Sequence, residues 1–423
     1  MSGALKTALD GDAFSRLMES FAPVEGKLAL AVSGGPDSMA LALCVKRWAR
    51  QDFIAFIVDH GLREESASEA AQVQMRLQKI GIPAEILVWK HAPVAGRLHE
   101  KAREARYRLL IEACRRHGAD ALLTAHHSGD QAETILMRLA KGSGIDGLAG
   151  IAAESLRDGI RLLRPLLSVS KERLVATCEA AGVAYVTDPS NGAEKYARGR
   201  LRKVLPLLEA EGLTVESLTG LGARAREAKN ALDFYTREFL IKAVQTELGG
   251  SVCLDRAALR AAPRAIALRA LASCLRYVHD EDYPPEYAAL SSLVDVSVGT
   301  EDEPSRTLYG CIASIAENRV MILREPAAAC EVLPLPSGAT VLWDKRWLVT
   351  ADSTAQNTVI RALGNPPHAV IDALAPALRR QIPQGRIRAS LPALWEGEKL
   401  CAIPSFDETS GFRLSFRKQA FSS

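Results

Sequence analysis

The feature that most constrains the fold is an alternation of short apolar runs and helical patterns in the amino-terminal part of the chain. Apolar runs typical of buried strands occupy residues 28–32, 53–58, 84–89 and 121–124. Helical patterns begin at Ser38 and cover residues 64–80 and 98–116. Strands that alternate with helices usually pair in parallel, so the sequence predicts a doubly wound parallel α/β sheet. The ligand of such a sheet binds at the carboxyl ends of its strands.

The first connection from a strand to a helix reads SGGPDS, residues 33–38. Glycines allow the backbone to approach an anion closely, and the N–H groups at a helix start attract negative charge. We therefore expect a phosphate group to bind here, with Asp37 or Ser38 as the N-cap of the helix. An ordinary tight turn between a strand and a helix is the alternative interpretation.

Two other phosphate-binding motifs do not explain this loop. A Walker A loop requires Gly-Lys-Ser or Gly-Lys-Thr, and neither follows the two glycines. A G-x-G-x-x-G sequence does occur at residues 142–147, but it follows the helical run 130–139 instead of a strand. It therefore lacks the context in which this motif binds a dinucleotide.

Polar sequences follow two further strands of the predicted sheet. They read VDHGLR at residues 58–63 and TAHHSGDQAET at residues 124–134. Because the carboxyl ends of parallel strands meet at one edge of a sheet, we expect both sequences to join SGGPDS in a single site.

The rest of the chain divides by pattern into two further regions. Residues 188–206 form a turn cluster that leads into a basic helix, and apolar residues spaced by three and four between residues 218 and 239 predict a long helix with one apolar face. From residue 308 onward, short β-like runs alternate with turn signals and predict a small mixed α/β or mainly β domain. The expected domains are 24–212, a mainly helical linker region at 213–330, and a C-terminal domain at 331–423.

Composition limits the class of protein more than its function. The 423 residues are 48% hydrophobic, enough for each domain to have a core, and 53 basic against 50 acidic residues leave a net charge of only +3. The eight cysteines include no C-x-x-C pair, which predicts reduced, mostly buried thiols. No segment is apolar over the length of a bilayer, so we expect a soluble cytoplasmic protein without a membrane partner.

Several segments together resemble the bacterial tRNA(Ile)-lysidine synthetase family. SGGPDS is similar to the S-G-G-x-D-S loop of the N-type ATP pyrophosphatases, also called PP-loop or adenine nucleotide alpha hydrolase-like enzymes. The other matching segments occur in the order of that family, at about its spacing: VDHGLR, AREARY (102–107), HHSGDQAET, RPLLSVSKERL (164–174), and DPSN followed by three arginines.

The resemblance implies an ATP-dependent carbon–nitrogen ligase. It would attach L-lysine to C2 of the wobble cytidine in a tRNA(Ile) with a CAU anticodon, through an adenylated cytidine, and release AMP and pyrophosphate. ATP and Mg²⁺ are the implied cofactors. The region 24–212 would be catalytic, while 213–330 and 331–423 would bind tRNA.

The residues of the glycine loop are expected to bind ATP, namely Ser33, Gly34, Gly35, Pro36 and Ser38, joined by His60. Asp37 is expected to reach the Mg²⁺ on the pyrophosphate, because this cation prefers one or two carboxylates together with phosphate oxygens. A simple N-cap is the alternative role for Asp37.

Asp130 and Glu133 lie three residues apart at a predicted helix start, so they share one face and can bracket an ammonium group. The resemblance assigns this pair to lysine recognition and leaves open which of the two accepts the proton; compensation of the helix dipole is the alternative role. His60 and His126 are expected in the ATP and cytidine pocket. His127 is interpreted as a turn-capping or packed histidine. A metal site formed by the three histidines lacks the usual zinc spacing.

The remaining site residues are arginines. Arg103 and Arg106 lie off the predicted buried stripe of their helix and are expected to face the active site, Arg103 as a catalytic residue and Arg106 toward tRNA. Arg198, Arg200 and Arg202 are expected to bind tRNA phosphates.

Two glycines depart from the family pattern. Gly129 stands where the family has an aspartate, and Gly199 stands where it has an asparagine. We expect Gly129 to remove a charge and to loosen the start of its helix.

Other functions remain open at the level of the sequence. A tRNA thiolase of the same ATP pyrophosphatase family would need a cysteine pair or iron–sulfur ligands. An amidating synthetase would usually carry a glutaminase domain, and a non-catalytic tRNA-binding protein would have no need of Asp37, Asp130 and Glu133 together.

Overall fold

The computed structural model describes residues 7–63, 65–91, 98–186, 197–247, 249–280, 284–299, 305–351, 358–372, 374, 376–382, 385–404, 412–416 and 421. The chain forms two compact units, residues 1–229 and 230–423. The three domain boundaries expected from the sequence remain predictions.

A six-stranded sheet forms the centre of the first unit. Its strands are β1 (Lys27–Ala31), β2 (Phe53–Asp59), β3 (Ala84–Val88), β4 (Ala119–Leu123), β5 (Glu154–Arg157) and β6 (Ile160–Leu163). The helices are α1 (Gly11–Met18), α2 (Pro36–Trp48), α3 (Ser66–Lys79), α4 (Leu98–His117), α5 (Ser128–Ala140), α6 (Ile145–Leu148), α7 (Lys171–Ala180) and α8 (Ala197–Ala210). Helix α9 (Val215–Ala243) contains the boundary between the units.

The strand order β3-β2-β1-β4-β6-β5 places the first strand in the middle of the sheet. β1 pairs in parallel with both β2 and β4, and β2–β3 and β4–β6 are parallel as well. The predicted doubly wound parallel sheet is confirmed. The chain adds β2 and β3 on one side of β1 and then returns to add β4 on the other side. The crevice between β1 and β4 is therefore the topological switch point, where such folds bind ligands.

Both faces of this sheet are covered, and successive residues of β1 show it. Leu28 and Leu30 pack into one core with residues of α2, α3 and α7, whereas Ala29 and Ala31 pack into a second core with residues of α4. Since the side chains of a strand alternate between its faces, a strand buried on both sides must be apolar throughout. This explains the uninterrupted apolar run of the sequence.

The antiparallel hairpin of β5 and β6 was not expected from the sequence. β5 pairs with β6 from Glu154 opposite Leu163 to Arg157 opposite Ile160. Its turn is formed by Asp158 and Gly159, whose φ angles are +50° and +83°. β5 is an edge strand that alternates between exposed and half-buried positions, so it lacks the apolar run that marks the inner strands.

The second unit is built from antiparallel sheets. Its strands are β7 (Val244–Glu247), β8 (Ser251–Asp255), β9 (Arg306–Leu308), β10 (Cys311–Ile315), β11 (Arg319–Arg324), β12 (Leu333–Pro334), β13 (Thr340–Trp343), β14 (Trp347–Ala351), β15 (Val359–Ala362), β16 (Pro392–Glu396), β17 (Lys399–Ala402) and β18 (Phe412–Phe416). They form sheets with the orders β7-β8-β11-β10-β9, β12-β15-β16-β17 and β13-β14-β18.

Helices cover these sheets and give the second unit several cores. They are α10 (Arg256–Ala261), α11 (Arg264–His279), α12 (Tyr287–Val298), α13 (His368–Asp372), α14 (Pro376–Gln381) and α15 (Arg386–Ala389), with a 3-10 turn at Pro326–Ala328. One core joins α11 and α12 to the five-stranded sheet, and two others lie among the later strands. The region 213–330, predicted to be mainly helical, therefore also contains β7 to β11.

Two expectations about the whole chain can be compared with the structure. No helix in the described ranges is long and apolar enough to cross a bilayer. All eight cysteines are free thiols and five are buried, at positions 44, 114, 178, 274 and 311, so the prediction of reduced, mostly buried thiols is confirmed.

The turn between β1 and α2 depends on a glycine that is enclosed by other residues. Gly34 has a φ of +84°, and a Cβ atom added there would lie 2.3 Å from Cγ2 of the buried Val73 on α3. Its carbonyl oxygen accepts a hydrogen bond from the N–H of Val186 at 2.8 Å. The backbone conformation and the close packing therefore both require glycine here.

We expect Gly34→Ala to lower the free energy of unfolding by about 3 kcal/mol or more, because strain at positive φ and overpacking add. Gly142→Ala is the matched control: Gly142 has a φ of +68° with open space around its Cα, so only the backbone strain of about 1 kcal/mol applies. Urea unfolding of both variants measures the difference. Equal losses of stability would show that the contact with Val73 is unimportant.

Candidate active site

A cavity of about 900 Å³ lies in the first unit, where β1, β2 and β4 end. Residues from all three predicted polar sequences line it, so the expectation of a single site is confirmed. The predicted site residues on its wall are Ser33, Gly35, Pro36, Asp37, Ser38, His60, Arg103, Arg106, His126 and Asp130.

The glycine loop is held in shape by its two serines. The hydroxyl of Ser38 accepts the N–H of Ser33 at 3.1 Å and donates to the carbonyl of Gly35 at 3.1 Å. Helix α2 begins at Pro36 with Gly35 as the N-cap, and no side chain caps it. The expectation that Asp37 or Ser38 is the N-cap is therefore wrong, because Pro36 already has helical geometry and Ser38 bonds within the loop.

The N-terminus of α2 faces the cavity through this loop. Because no side chain caps it, its first N–H groups are available to an anion, and the macrodipole favours negative charge at that position. The carboxylate of Asp37 lies on the same wall, with 28% of its side chain exposed. The arrangement combines a phosphate-binding helix start with one carboxylate that a divalent cation could use.

His127 connects the starts of α2 and α5. As the N-cap of α5, it accepts the N–H of Gly129 on Nδ1 at 3.0 Å, while the carboxylate of Asp130 accepts the N–H of His127 at 3.1 Å. Its Nε2 lies 3.8 Å from Asp37 Oδ2 and 3.7 Å from Asp130 Oδ2. The interpretation of His127 as a capping residue is confirmed, and Asp130 has a capping role in addition to its place on the cavity wall.

Gly129 lies at a helix start that His127 and Asp130 cap together, and its expected loosening effect stays a prediction. A Cβ atom at position 129 would lie 2.8 Å from Cε1 and 3.1 Å from Nδ1 of His127. The imidazole of His127 therefore occupies the space that a side chain at position 129 would need. The same imidazole caps the helix. The other departure, Gly199, is buried within α8.

Asp130 and Glu133 have different environments although they lie on one helix. Asp130 lines the cavity, with 19% of its side chain exposed, whereas Glu133 is only 5% exposed and is absent from the described lining. A spacing of three residues aligns two side chains along a helix but leaves open which of them reaches a cavity on one side. The structure does not bring the two carboxylates together at the cavity wall.

The cavity is also lined by basic residues. Arg103 and Arg106 of α4 line the cavity, as expected from their position off the buried stripe. Burial, and then repulsion by charged neighbours that include Arg106, lowers the pKa of His60. Burial also lowers the pKa of His126 to about 4, and Asp130 opposes this shift. Both imidazoles are therefore neutral at neutral pH.

The expected tRNA-binding arginines are only partly described. Arg200 is exposed on α8, while the side chains of Arg198 and Arg202 and the DPSN sequence lie outside the described residues. Their roles remain predictions.

The cavity also includes residues that the sequence reasoning did not single out. Lys171 at the start of α7, Tyr185 and the Arg63–Glu69 ion pair of 3.0 Å line it. Asp59, at the end of β2, is buried and accepts hydrogen bonds from Gly61 N–H and the Ser66 hydroxyl. Lys171 could have been predicted as a site residue, because it lies within the RPLLSVSKERL segment that carries the family resemblance. No sequence pattern indicated Tyr185.

Comparisons with known proteins agree with this geometry. A family model described as a PP-loop domain matches residues 11–208. The chain is 43% identical over 308 residues to a tRNA(Ile)-lysidine synthase of Methylobacterium sp. (strain 4-46), covering 71% of this chain and 90% of that protein. It is 37% identical to the tRNA(Ile)-lysidine synthase of Ruegeria pomeroyi, covering 89% of this chain and 88% of that protein.

A solved U34-tRNA thiolase from Methanococcus maripaludis resembles 51% of this chain and 79% of its own, with a TM-score of 0.44 and 18% identity. That similarity is too distant to bear on function.

The low pKa of His126 predicts a pH dependence of stability. Between pH 6.5 and about 4 the unfolded chain binds a proton that the folded chain does not, so stability is lost as the pH falls through this window. We expect the His126 ring resonances to titrate with a midpoint of about 4 in NMR spectra assigned with His126→Gln, and this variant to lose less stability on acidification. A midpoint near 6.5 would contradict the buried, neutral state.

Proposed function

The chain belongs to the tRNA(Ile)-lysidine synthase family and is an ATP-dependent ligase of tRNA(Ile), and we propose that it joins L-lysine to C2 of the wobble cytidine of a CAU anticodon. The observation that carries the proposal is one cavity at the switch point of the sheet, lined by a glycine loop, a carboxylate of α5 and two arginines of α4. We also propose that the enzyme acts in the cytoplasm.

In the first step, O2 of the cytidine attacks the α-phosphorus of ATP, and the bond from this phosphorus to the pyrophosphate breaks. The uncapped start of α2 is suited to hold the pyrophosphate through its N–H groups, while Ser33 and Ser38 bond to each other and keep the loop in shape. Arg103 and Arg106 add positive charge on the cavity wall, where negative charge develops in the transition state.

The residues present fit a magnesium ion bound jointly with ATP. Asp37 supplies one carboxylate at the phosphate-binding wall, and Mg²⁺ commonly uses one or two carboxylates together with substrate phosphates and water. No group of three His, Cys, Asp or Glu side chains in the described ranges could hold a metal without the nucleotide. The bound ion would neutralise charge on the leaving pyrophosphate.

In the second step, the ε-amine of lysine attacks C2, and the bond between C2 and the adenylated oxygen breaks to release AMP. The ammonium group must first lose a proton, so the site needs an acceptor close to the amine. Asp130 is our candidate for contact with the amine because it lines the cavity. Glu133 is buried one turn further along α5 and is absent from the described cavity lining. We propose that it stabilises the ammonium by its charge, without direct contact.

A thiolase activity is not favoured. The curated relatives are lysidine synthases, and of the eight cysteines only Cys330 and Cys401 are exposed. Burial raises the pKa of the Cys44 thiol to about 12 and of the Cys178 thiol to about 11, so neither is a reactive thiolate at neutral pH.

The proposal is tested by incubating the protein with labelled lysine, ATP, Mg²⁺ and a tRNA(Ile) transcript with a CAU anticodon. We expect lysine to be incorporated in proportion to the AMP released, and a transcript with uridine at the wobble position to incorporate none. Incorporation that does not depend on the wobble cytidine, or AMP release without incorporation, would contradict the proposal.

Asp37→Asn is expected to slow AMP formation at least a hundredfold while the fold is retained, because charge neutralisation at the leaving pyrophosphate is a large part of the barrier. It should also raise the Mg²⁺ concentration needed for half-maximal rate. Circular dichroism and thermal unfolding serve as the control for folding. A rate and a Mg²⁺ requirement close to those of the wild type would refute the metal role of Asp37.

Glu133→Gln is expected to raise the KM for lysine about tenfold and to leave the KM for ATP nearly unchanged, since the substitution removes a negative charge beside the proposed ammonium site. Steady-state kinetics with each substrate varied separately measure this. If only the KM for ATP rises, Glu133 belongs to the ATP half of the site.

A further inference from the structure

Tyr107 of α4 is surrounded by arginines. Its ring is 4% exposed, and the guanidinium carbons of Arg103 and Arg157 lie 5.1 Å and 4.6 Å from the ring centroid. Arg164 lies close enough to interact electrostatically with Tyr107, and Arg106 is the adjacent residue. A guanidinium stacked on an aromatic ring keeps its planar fork in a fixed orientation.

Among the residues that the structure describes, no carboxylate forms an ion pair with Arg103, Arg106, Arg157 or Arg164. Arg161, on the same hairpin as Arg157, shows the ordinary arrangement, with Nε 2.6 Å from a carboxylate oxygen of Glu154. After burial, the like charge of Arg103 lowers the pKa of both Arg106 and Arg164. The guanidinium groups repel one another, and a bound anion would reduce this repulsion.

The position of Arg157 is fixed by the hairpin that carries it. Arg157 ends β5 directly before the turn of Asp158 and Gly159. Arg115 of α4 donates a hydrogen bond of 2.6 Å to the carbonyl of Asp158, which holds the turn against the helix. The hairpin therefore brings a cation from the edge of the sheet to the side of Tyr107.

The cluster extends from the cavity wall to residues beyond it. Arg103 and Arg106 line the cavity, whereas Arg157 and Tyr107 are not part of its described lining. A ligand that contacts both Arg103 and Arg157 must therefore extend out of the cavity. The phosphates of ATP are expected at the glycine loop, but an RNA strand carries further phosphates on either side of any nucleotide placed in the cavity.

We propose that Arg103 and Arg157, stacked on Tyr107, form a phosphodiester-binding site that holds the RNA backbone beside the inserted nucleotide. The inference rests on the proposed function, because it assumes an RNA substrate whose reacting base enters the cavity. It assigns the β5–β6 hairpin to substrate binding. Paired, planar guanidinium groups are well suited to phosphate oxygens, and the crowded charge makes this contact strongly dependent on salt.

The test compares Arg157→Gln, Arg157→Lys and the matched control Arg116→Gln in the full-length protein. Arg116 is also an arginine of α4, but it is exposed and pairs with Glu85 at 2.8 Å. Binding of the CAU-anticodon tRNA(Ile) transcript is measured at several salt concentrations, together with binding of ATP. We expect Arg157→Gln to weaken tRNA binding about tenfold and to reduce the slope of log Kd against log salt by about 0.9.

Arg157→Lys should retain most of the salt slope because it retains the charge, and Arg116→Gln should resemble the wild type. An unchanged slope for Arg157→Gln, or an equal loss for Arg116→Gln, would overturn the inference. Weaker binding of ATP with unchanged binding of tRNA would identify the ligand as the triphosphate and would also overturn it. Wild-type protein that fails to incorporate lysine would instead count against the proposed function, since the binding assay does not require ligation.

Discussion

The imidazole of His127 lies within 4 Å of two carboxylates, Asp37 at the start of α2 and Asp130 at the start of α5. The same residue caps α5, so its position is fixed by the helix that it begins. The two helices follow β1 and β4, which are neighbouring strands at the switch point of the sheet. The imidazole thus lies between the phosphate-binding loop and the α5 carboxylate, and all three line the cavity in which both steps of the proposed reaction would take place.

The cavity wall carries charges of both signs. Carboxylates from α2 and α5 and arginines of α4 line it, while His60 and His126 have lowered pKa values and carry no charge at neutral pH. A cytidine that becomes adenylated and is then attacked by an amine needs positive charge near its phosphates and negative charge near the ammonium. The same cavity therefore offers both kinds of charge that the two proposed steps need.

Much of the fold could be predicted because inner parallel strands must be apolar on both faces. The apolar run at 28–32 corresponds to β1, Lys27–Ala31. The G-x-G-x-x-G sequence at 142–147 follows helix α5, as predicted, and so is not a dinucleotide-binding motif. The β5–β6 hairpin could not be predicted, since an edge strand needs no apolar run. The pairing of Asp130 with Glu133 was inferred from helical spacing and from the family resemblance, and neither determines which side chain faces a cavity. Gly129 could be understood only once the ring of His127 was seen in the space of its missing side chain.

In the proposed reaction, one cavity first adenylates the cytidine and then transfers lysine to it. This order is measured with ATP labelled on the α-phosphorus and tRNA(Ile) bearing a CAU anticodon, without lysine, followed by isolation of the tRNA. We predict label bound to the tRNA at its wobble cytidine, released as AMP when lysine is added. Isolated tRNA that carries no label, although lysine is incorporated once it is added, would contradict this order of steps.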